Sequence, residues 1–161
     1  ASIFYREILM GPQVKGNPLY ISVYLLIFSY VFGEFIFPKY NLLYLINLLG
    51  LLGIIISTVF FFSAFNLFNS YNENPRPKTE SNRLIKTGIF AYSRNPIYIA
   101  FVLFHLSMFL TFENVLYFLS SLGLFFWINN FVIPAEEIYL KNKFGDEFDR
   151  YTLAVKRWLL F

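Results

Sequence analysis

The chain has 161 residues, of which 57% are hydrophobic and 14% charged, whereas a soluble globular domain carries about 25% charged residues. This balance excludes a soluble domain, and the net charge of +3 is better explained by contact with anionic lipid headgroups than by nucleic-acid binding. Because cysteine is absent and histidine occurs once, disulfides, thiolate metal sites and histidine-rich metal centres are excluded as well.

The apolar residues are concentrated in four blocks, each long enough or nearly long enough to cross a bilayer, which takes roughly 20 residues as a helix. The second block is longer than a bilayer core requires, so it should tilt or extend into water. Only the short stretch 111–114, which overlaps the end of the third block, leads from the third block into the fourth, and this predicts a tight antiparallel hairpin. We therefore predict an all-α, polytopic membrane protein with about four transmembrane helices and a cytoplasmic C-terminal helical tail. The blocks are residues 19–37, 42–68, 97–112 and 115–133.

Lysine and arginine residues set the predicted orientation, because they are enriched in the cytoplasmic loops of membrane proteins. They precede the first block, fill the segment between the second and third blocks and follow the fourth, whereas the two other loops hold Lys39 and Glu113. We therefore expect both termini and the long middle loop to be cytoplasmic, and the absence of a soluble domain and of cysteine fits a prokaryotic inner membrane. The basic residues on the expected cytoplasmic side are Arg6, Lys15, Arg76, Lys78, Arg83, Lys86, Arg94, Lys141, Lys143, Arg150, Lys156 and Arg157.

We predict a single membrane domain, residues 1–161, in which residues 1–70 form the N-terminal helices and residues 71–161 form the part that binds a cofactor. The two predicted cytoplasmic segments, residues 69–96 and 134–161, are too short for a nucleotide-binding α/β domain. No Gly-x-Gly-x-x-Gly or phosphate-binding loop occurs either. Any cofactor must therefore be held by these segments and the helix ends beside them.

Two adjacent carboxylates, Glu136 and Glu137, stand at the end of the fourth apolar block. Like charges placed side by side at a membrane edge repel each other and resist desolvation. The pair therefore indicates a bound cation or a strongly polar ligand at this position.

The start of the third helix supplies a second group of polar residues. Pro96 suits the first turn of that helix, and Asn95 suits its N-cap. On the fourth helix, Asn129 and Asn130 lie seven residues before Glu136 and Glu137 and project in similar directions if the helix continues through Pro134. Antiparallel packing of the hairpin then brings the two groups to one depth, which predicts one polar pocket at the cytoplasmic interface.

Three residues within the apolar blocks are better explained by packing than by chemistry. His105 stands alone midway along the third helix, where an interhelical hydrogen bond is its simplest role. Gly50 and Gly53 lie on the second helix at a spacing that lets a neighbouring helix approach closely.

Two groups of residues, one on each side of the predicted hairpin, carry a resemblance to a known family. The first group is Thr87, Gly88, Phe90, Arg94, Pro96 and Tyr98, and the second is Glu136, Glu137, Leu140, Phe144, Gly145, Phe148, Tyr151, Val155, Arg157 and Trp158. At these positions the chain resembles the small integral membrane methyltransferases that include isoprenylcysteine carboxyl methyltransferase and the phospholipid N-methyltransferases. Residues 1 to about 70 resemble that family only as membrane helices.

The resemblance implies S-adenosylmethionine as the methyl donor, bound by the C-terminal half, and a lipophilic acceptor that enters from the bilayer. That acceptor is either an isoprenylcysteine-like carboxylate or a lipid amine. At two positions the chain departs from the family pattern, because Asn95 replaces the usual histidine and Asn130 stands where an arginine is often found. By resemblance, the catalytic residues are Arg94, Tyr98 and Glu137, and the cofactor-binding residues are Phe90, Asn95, Pro96, Tyr98, Asn130, Glu136, Glu137, Phe144, Tyr151, Arg157 and Trp158.

The acidic pair is better suited to holding the cofactor than to accelerating the reaction, because methyl transfer dissipates the sulfonium charge that a carboxylate stabilises. Two other functions remain open at this point. One is a membrane reductase of the sterol or steroid type, whose related C-terminal half binds NADPH, and the other is a non-catalytic membrane scaffold. The sequence makes no prediction about oligomeric state.

Overall fold

The structure, a computed structural model, describes residues 11–37, 39, 41–76 and 79–161. Arg6 and Lys78, two of the basic residues that predict the orientation, lie outside the described residues. Within those ranges the chain is helical and contains no strand, which confirms the all-α prediction. The helices are α1 (Pro18–Phe35), α2 (Tyr44–Ser70), α3 (Pro96–Phe112), α4 (Val115–Trp127), α5 (Ile133–Phe144) and α6 (Asp146–Ala154). A 3₁₀ helix, Gly88–Ala91, precedes α3, and a π-helical turn, Ile128–Val132, joins α4 to α5.

Among the described residues, three stretches of helix are long and apolar enough to cross a membrane. They are α1, the 27 residues of α2, and the continuous run Val115–Phe144. Helix α3 is apolar too but has 17 residues. These helices match the four predicted blocks, and the chain is an integral membrane protein.

Helices α1 and α4 begin with the same local arrangement. The side-chain oxygen of Asn17 accepts a hydrogen bond from the backbone N–H of Leu19 at 3.0 Å, and that of Asn114 accepts one from Leu116 at 2.9 Å. Each asparagine thus caps an amide that the helix itself leaves unpaired. Asn114 also donates from its amide nitrogen to the carbonyl of Ser29 at 2.8 Å, which ties the start of α4 to α1.

Two glycines let α2 lie close against α3, as their spacing predicts. A Cβ atom at Gly50 would stand 2.7 Å from the backbone nitrogen of Thr111, and one at Gly53 would stand 2.2 Å from the side-chain oxygen of Ser107. At Gly50 a larger residue would force the two helices apart, because the near atoms include the backbone, whereas at Gly53 the Ser107 side chain would have to turn away. Packing within a membrane depends on such close approach, because lipid tails are as apolar as the side chains themselves.

His105 joins three helices in the interior of the bundle. Its side chain is fully buried, and the two ring nitrogens are hydrogen-bonded to the hydroxyl groups of Ser22 on α1, at 3.0 Å, and Ser120 on α4, at 2.7 Å. The Ser120 hydroxyl also lies 2.9 Å from the carbonyl of Tyr117. The predicted interhelical role of this histidine is confirmed.

At one end of the bundle, which we call the site end, α1 and α3 begin and α2 and α4 finish. The chain leaves α4 there through α5, turns at Gly145, which has a φ of +51°, and returns as α6. The residues after α6 lie against the start of α3, where the backbone N–H of Arg94 donates to the carbonyl of Lys156 at 3.0 Å. Three segments that are distant in sequence therefore meet at the site end.

Candidate active site

Two adjoining cavities open at the site end of the bundle. The small cavity has a volume of about 140 Å³ and the large cavity about 670 Å³. They share part of their walls, so a ligand can extend from one into the other. The shared residues are Phe68, Asn74, Pro75, Arg76, Phe90, Arg94, Asn95 and Glu136.

The remaining walls of the two cavities come from different parts of the chain. The small cavity is lined by the middle loop and by the tail, including Ile85, Leu140 and Phe148. The large cavity is lined by the membrane helices, with Phe61 on α2 and Tyr20 on α1 among its residues. One cavity thus faces the polar segments, and the other faces the region between the helices.

Glu136 borders both cavities. The hydroxyl group of Tyr98, a buried residue on α3, donates to one of its oxygens at 2.6 Å. No ion pair to Glu136 occurs in the part of the chain that the structure describes. This carboxylate is therefore held in position by a neutral donor, and no described cation is paired with it.

Glu137, in contrast, lies between two guanidinium groups. Its Oε1 atom is 3.0 Å from Nη2 of Arg94, and its Oε2 atom is 2.5 Å from Nη2 of Arg157. The Nε atom of Arg157 also donates to Oε1, at 3.2 Å. Both oxygens are engaged by cations, so this carboxylate neutralises and orients the arginines. It borders the small cavity only.

Arg94 is a mostly buried cation that lacks one partner. Its side chain is 14% exposed, and its Nε atom is fully buried without a hydrogen-bond partner among the described residues. Burial lowers the pKa of Arg94, and the neighbouring Glu137 carboxylate opposes that shift. Arginine nevertheless stays charged in proteins. A buried charged donor without an acceptor is costly, which indicates that a ligand oxygen completes this site.

Asn95 stands at the N-cap position of α3, but its side chain does not cap the helix. Its amide nitrogen instead donates to the carbonyl of Arg157 at 3.1 Å, and the hydroxyl group of Ser93 donates to the same carbonyl at 3.1 Å. These two bonds fix the tail segment that carries the arginine. Ser93 is fully buried and was not predicted, since a serine before Asn-Pro has no distinguishing sequence signal.

The π-helical turn changes which residues of the fourth helix share a face. Asn129, rather than Asn130, lies beside the site, where its side-chain oxygen accepts from Nη1 of Arg157 at 3.4 Å and from Nε1 of Trp158 at 3.0 Å. Asn130 is exposed and borders neither cavity. A π turn adds one residue to the helix, so the predicted seven-residue register between Asn130 and Glu137 is wrong, and an eight-residue register replaces it.

The remaining predicted site residues, five aromatic side chains and Pro96, are divided between the cavity walls and the packing beside them. Phe90 lines both cavities, Pro96 and Tyr98 line the large one, and Tyr151 lines the small one. The Tyr151 hydroxyl donates to the carbonyl of Phe90 at 2.7 Å, and burial raises its pKa. Phe144 and Trp158 border neither cavity, because Phe144 packs against the buried face of α6 and Trp158 packs on the ring of Phe125.

One carboxylate in the wall of the large cavity was missed by the sequence analysis. Glu73 follows α2 and is 8% exposed, and one of its oxygens accepts from the backbone N–H of Asn82 at 3.0 Å. In the sequence it is one acid within a polar loop, with no repeat or motif around it.

Comparison with known proteins gives two matches. A family model described as phospholipid methyltransferase matches residues 44–147, which include α2, the hairpin and α5. A protein from Haemophilus influenzae, described only as uncharacterized, is 41% identical over 63 residues, which are 39% of this chain and 100% of the relative. No solved structure matches the chain.

Proposed function

The chain belongs to the phospholipid methyltransferase family, and from this premise we propose that it transfers a methyl group from S-adenosylmethionine to a lipophilic acceptor at the cytoplasmic membrane interface. Family membership makes it a membrane methyltransferase that acts on lipid-like substrates. The observation that carries the more specific proposal is the position of Glu136, which borders both cavities and is held by Tyr98. A donor that extends from one cavity into the other therefore lies beside this carboxylate.

The small cavity suits the aromatic base of the donor. Its volume of about 140 Å³ is close to the roughly 150 Å³ of a cavity known to hold a benzene ring. It is therefore too small for the whole donor, so the flat base enters it only in part and the ribose and sulfonium extend past Glu136 into the large cavity. Phe90 and Phe148 supply apolar surface against which a base packs.

Arg94 and Glu136 suit the charged groups of the donor. The buried Nε atom of Arg94 lacks an acceptor among the described residues, and the carboxylate of the donor provides one through a charge-assisted hydrogen bond. Glu136 accepts hydrogen bonds from the ribose hydroxyls or the ammonium group. Glu137 and Arg157 hold Arg94 in position rather than touching the donor.

When bound, the donor supplies an electrophilic methyl group on sulfur. The residues of the chain contribute by binding, orientation and exclusion of water. A carboxylate beside a sulfonium stabilises the ground state at least as much as the transition state, so Glu136 acts in binding rather than in rate acceleration. Acceleration comes from the alignment of the two reactants in the large cavity, beside the aromatic surface of Phe61 and Phe101.

The large cavity suits a lipophilic acceptor that arrives from the bilayer. Its walls include Leu19 and Tyr20 on α1 and Phe65 on α2, whose apolar surfaces are continuous with the lipid-facing sides of these helices. Because the N-terminal helices complete the cavity, residues 1–161 act as one domain. The basic loop and tail at the site end favour a cytoplasmic location of the site and of both termini, in a prokaryotic inner membrane.

Calorimetry of the purified full chain in detergent tests the proposal. We expect binding of S-adenosylmethionine and of its demethylated product, no binding of reduced nicotinamide cofactor, and about tenfold weaker donor binding in Glu136→Gln, because a charged hydrogen-bond partner is lost. Glu147→Gln is the matched control, since Glu147 is exposed and borders neither cavity. A wild-type chain that binds neither form of the donor would contradict the proposal.

A further inference from the structure

The carboxylates around the two cavities differ in what they face. Glu137 borders the small cavity and is neutralised by arginines, Glu136 borders both cavities, and Glu73 borders the large cavity only. In the proposed function Glu136 contacts the donor, and Glu137 holds Arg94 in position. Glu73 is thus a buried carboxylate on the acceptor side that has no role in the proposed function.

The backbone after α2 holds Glu73 in place. Asn72 adopts a left-handed conformation with a φ of +54°, which asparagine tolerates better than most residues. The chain folds back there, so the backbone N–H of Glu73 donates to the carbonyl of Phe68 at 2.9 Å. The side chain is consequently carried by the end of a membrane helix rather than by a free loop.

The charge on Glu73 is only partly compensated. One oxygen accepts the backbone N–H of Asn82, and neither oxygen has a cation within ion-pair distance in the described ranges. A carboxylate that is 8% exposed is expensive to desolvate unless it is paired. Because Glu73 lies in the wall of the large cavity, a cation can approach it from that cavity.

The large cavity is amphipathic around this carboxylate. Phe61, Phe65 and Phe101 line it with aromatic surface, whereas Asn69 and Asn72 lie in its wall near Glu73. A ligand that matches it has a hydrocarbon part and a polar, positively charged end. Two cationic residues lie in the same wall: Arg94 is ion-paired with Glu137 and Arg76 is exposed, and neither forms an ion pair with Glu73.

We propose that Glu73 binds the amine end of the acceptor and that this contact selects lipophilic amines over carboxylates; the inference rests on the proposed function. An ammonium group must lose a proton before its nitrogen can attack, and the Glu73 carboxylate accepts that proton. The freed lone pair then forms the N–C bond while the S–C bond breaks, with its electron pair left on sulfur. The methylated nitrogen carries the positive charge, and the proton on Glu73 returns to water.

Labelled-methyl transfer by the purified full chain tests this assignment. Hexadecylamine and phosphatidylethanolamine serve as amine acceptors, and a farnesylated cysteine serves as the carboxylate acceptor. We expect the wild type to methylate an amine, and we expect Glu73→Gln to raise the KM for it by at least about tenfold, because a buried charge partner is lost. The Kd of the demethylated donor should change by less than about twofold, since the donor contacts Glu136 and Arg94 rather than Glu73 in the proposed function. Glu73→Asp, which keeps the charge, should recover most of the lost affinity.

The matched control is Glu80→Gln in the same loop, which removes an exposed carboxylate that borders neither cavity and should leave the KM unchanged. Three results would overturn the inference: methylation of the carboxylate acceptor alone, an unchanged KM in Glu73→Gln, or a loss of donor binding in that variant. The first leaves the proposed function intact, whereas a wild type that binds no donor refutes the proposed function itself.

A measurement on the wild type covers the case in which Glu73→Gln does not fold. Hexadecyltrimethylammonium and hexadecanol share one hydrocarbon chain but differ in charge. We expect the cation to compete with hexadecylamine at least about tenfold better than the alcohol does. Equal competition would show that the cavity recognises only the chain, and the assignment of Glu73 would be wrong.

Discussion

Two polar clusters lie along helix α3, and they differ in how completely their groups are paired. In the interior, both ring nitrogens of His105 bond to serines on neighbouring helices. At the site end, Arg94 and Glu136 also lie in protein, but a buried donor on the arginine has no acceptor in the described part of the chain. A cluster whose polar groups are all paired holds helices together, whereas a cluster with a buried donor lacking an acceptor is suited to binding a ligand.

The largest effect should follow from removal of the charge on Arg94. In Arg94→Met the donor loses the partner of its carboxylate, and Glu137 loses one of its two cations. Breaking a buried charge pair costs about 3 kcal/mol, so donor affinity should fall by roughly 100-fold or more. Calorimetry with the demethylated donor measures this change. Lys86→Met, at an exposed ion pair, should change it by less than about twofold.

An effect of intermediate size is expected in the interior cluster, on stability rather than on chemistry. His105→Leu leaves the hydroxyl group of Ser22 without its interhelical partner and lowers the free energy of unfolding by about 2 kcal/mol. Thermal unfolding in detergent should show a lower midpoint, while the KM values of folded protein stay within about twofold of wild type. A selective loss of turnover without a change in the unfolding midpoint would contradict the comparison, because it would give the histidine a chemical role.

The smallest of the three effects is expected for Tyr98→Phe. The variant keeps the buried ring and removes only the hydroxyl that donates to Glu136. A hydrogen bond to a charged group is worth about 1.5 kcal/mol, so donor affinity should fall by roughly tenfold. Tyr117→Phe, also buried but far from both cavities, is the control. An unchanged Kd for the methyl donor would mean that Glu136 does not depend on the Tyr98 hydroxyl group for its position.

The sequence predicted the helices and part of the site. Apolar length and the short stretch 111–114 predicted the hairpin, and the hairpin placed the start of α3 beside the acidic pair, where Tyr98 and Arg94 do contact it. The sequence missed Glu73 and Ser93, whose roles come from the fold of the middle loop. It also placed Asn130 on the wrong face, since no local pattern indicated the π turn.

The acidic pair itself marks the boundary between what sequence and tertiary structure decide. By itself the sequence determined that two carboxylates stand at the end of a membrane helix, because hydrophobic length and charge are properties of neighbouring residues. Only the tertiary structure decided that Glu137 is neutralised and Glu136 is not. That outcome depends on Arg94 and Arg157, which reach Glu137 from separate segments, and Coulomb attraction between such groups follows their distance in space rather than in sequence.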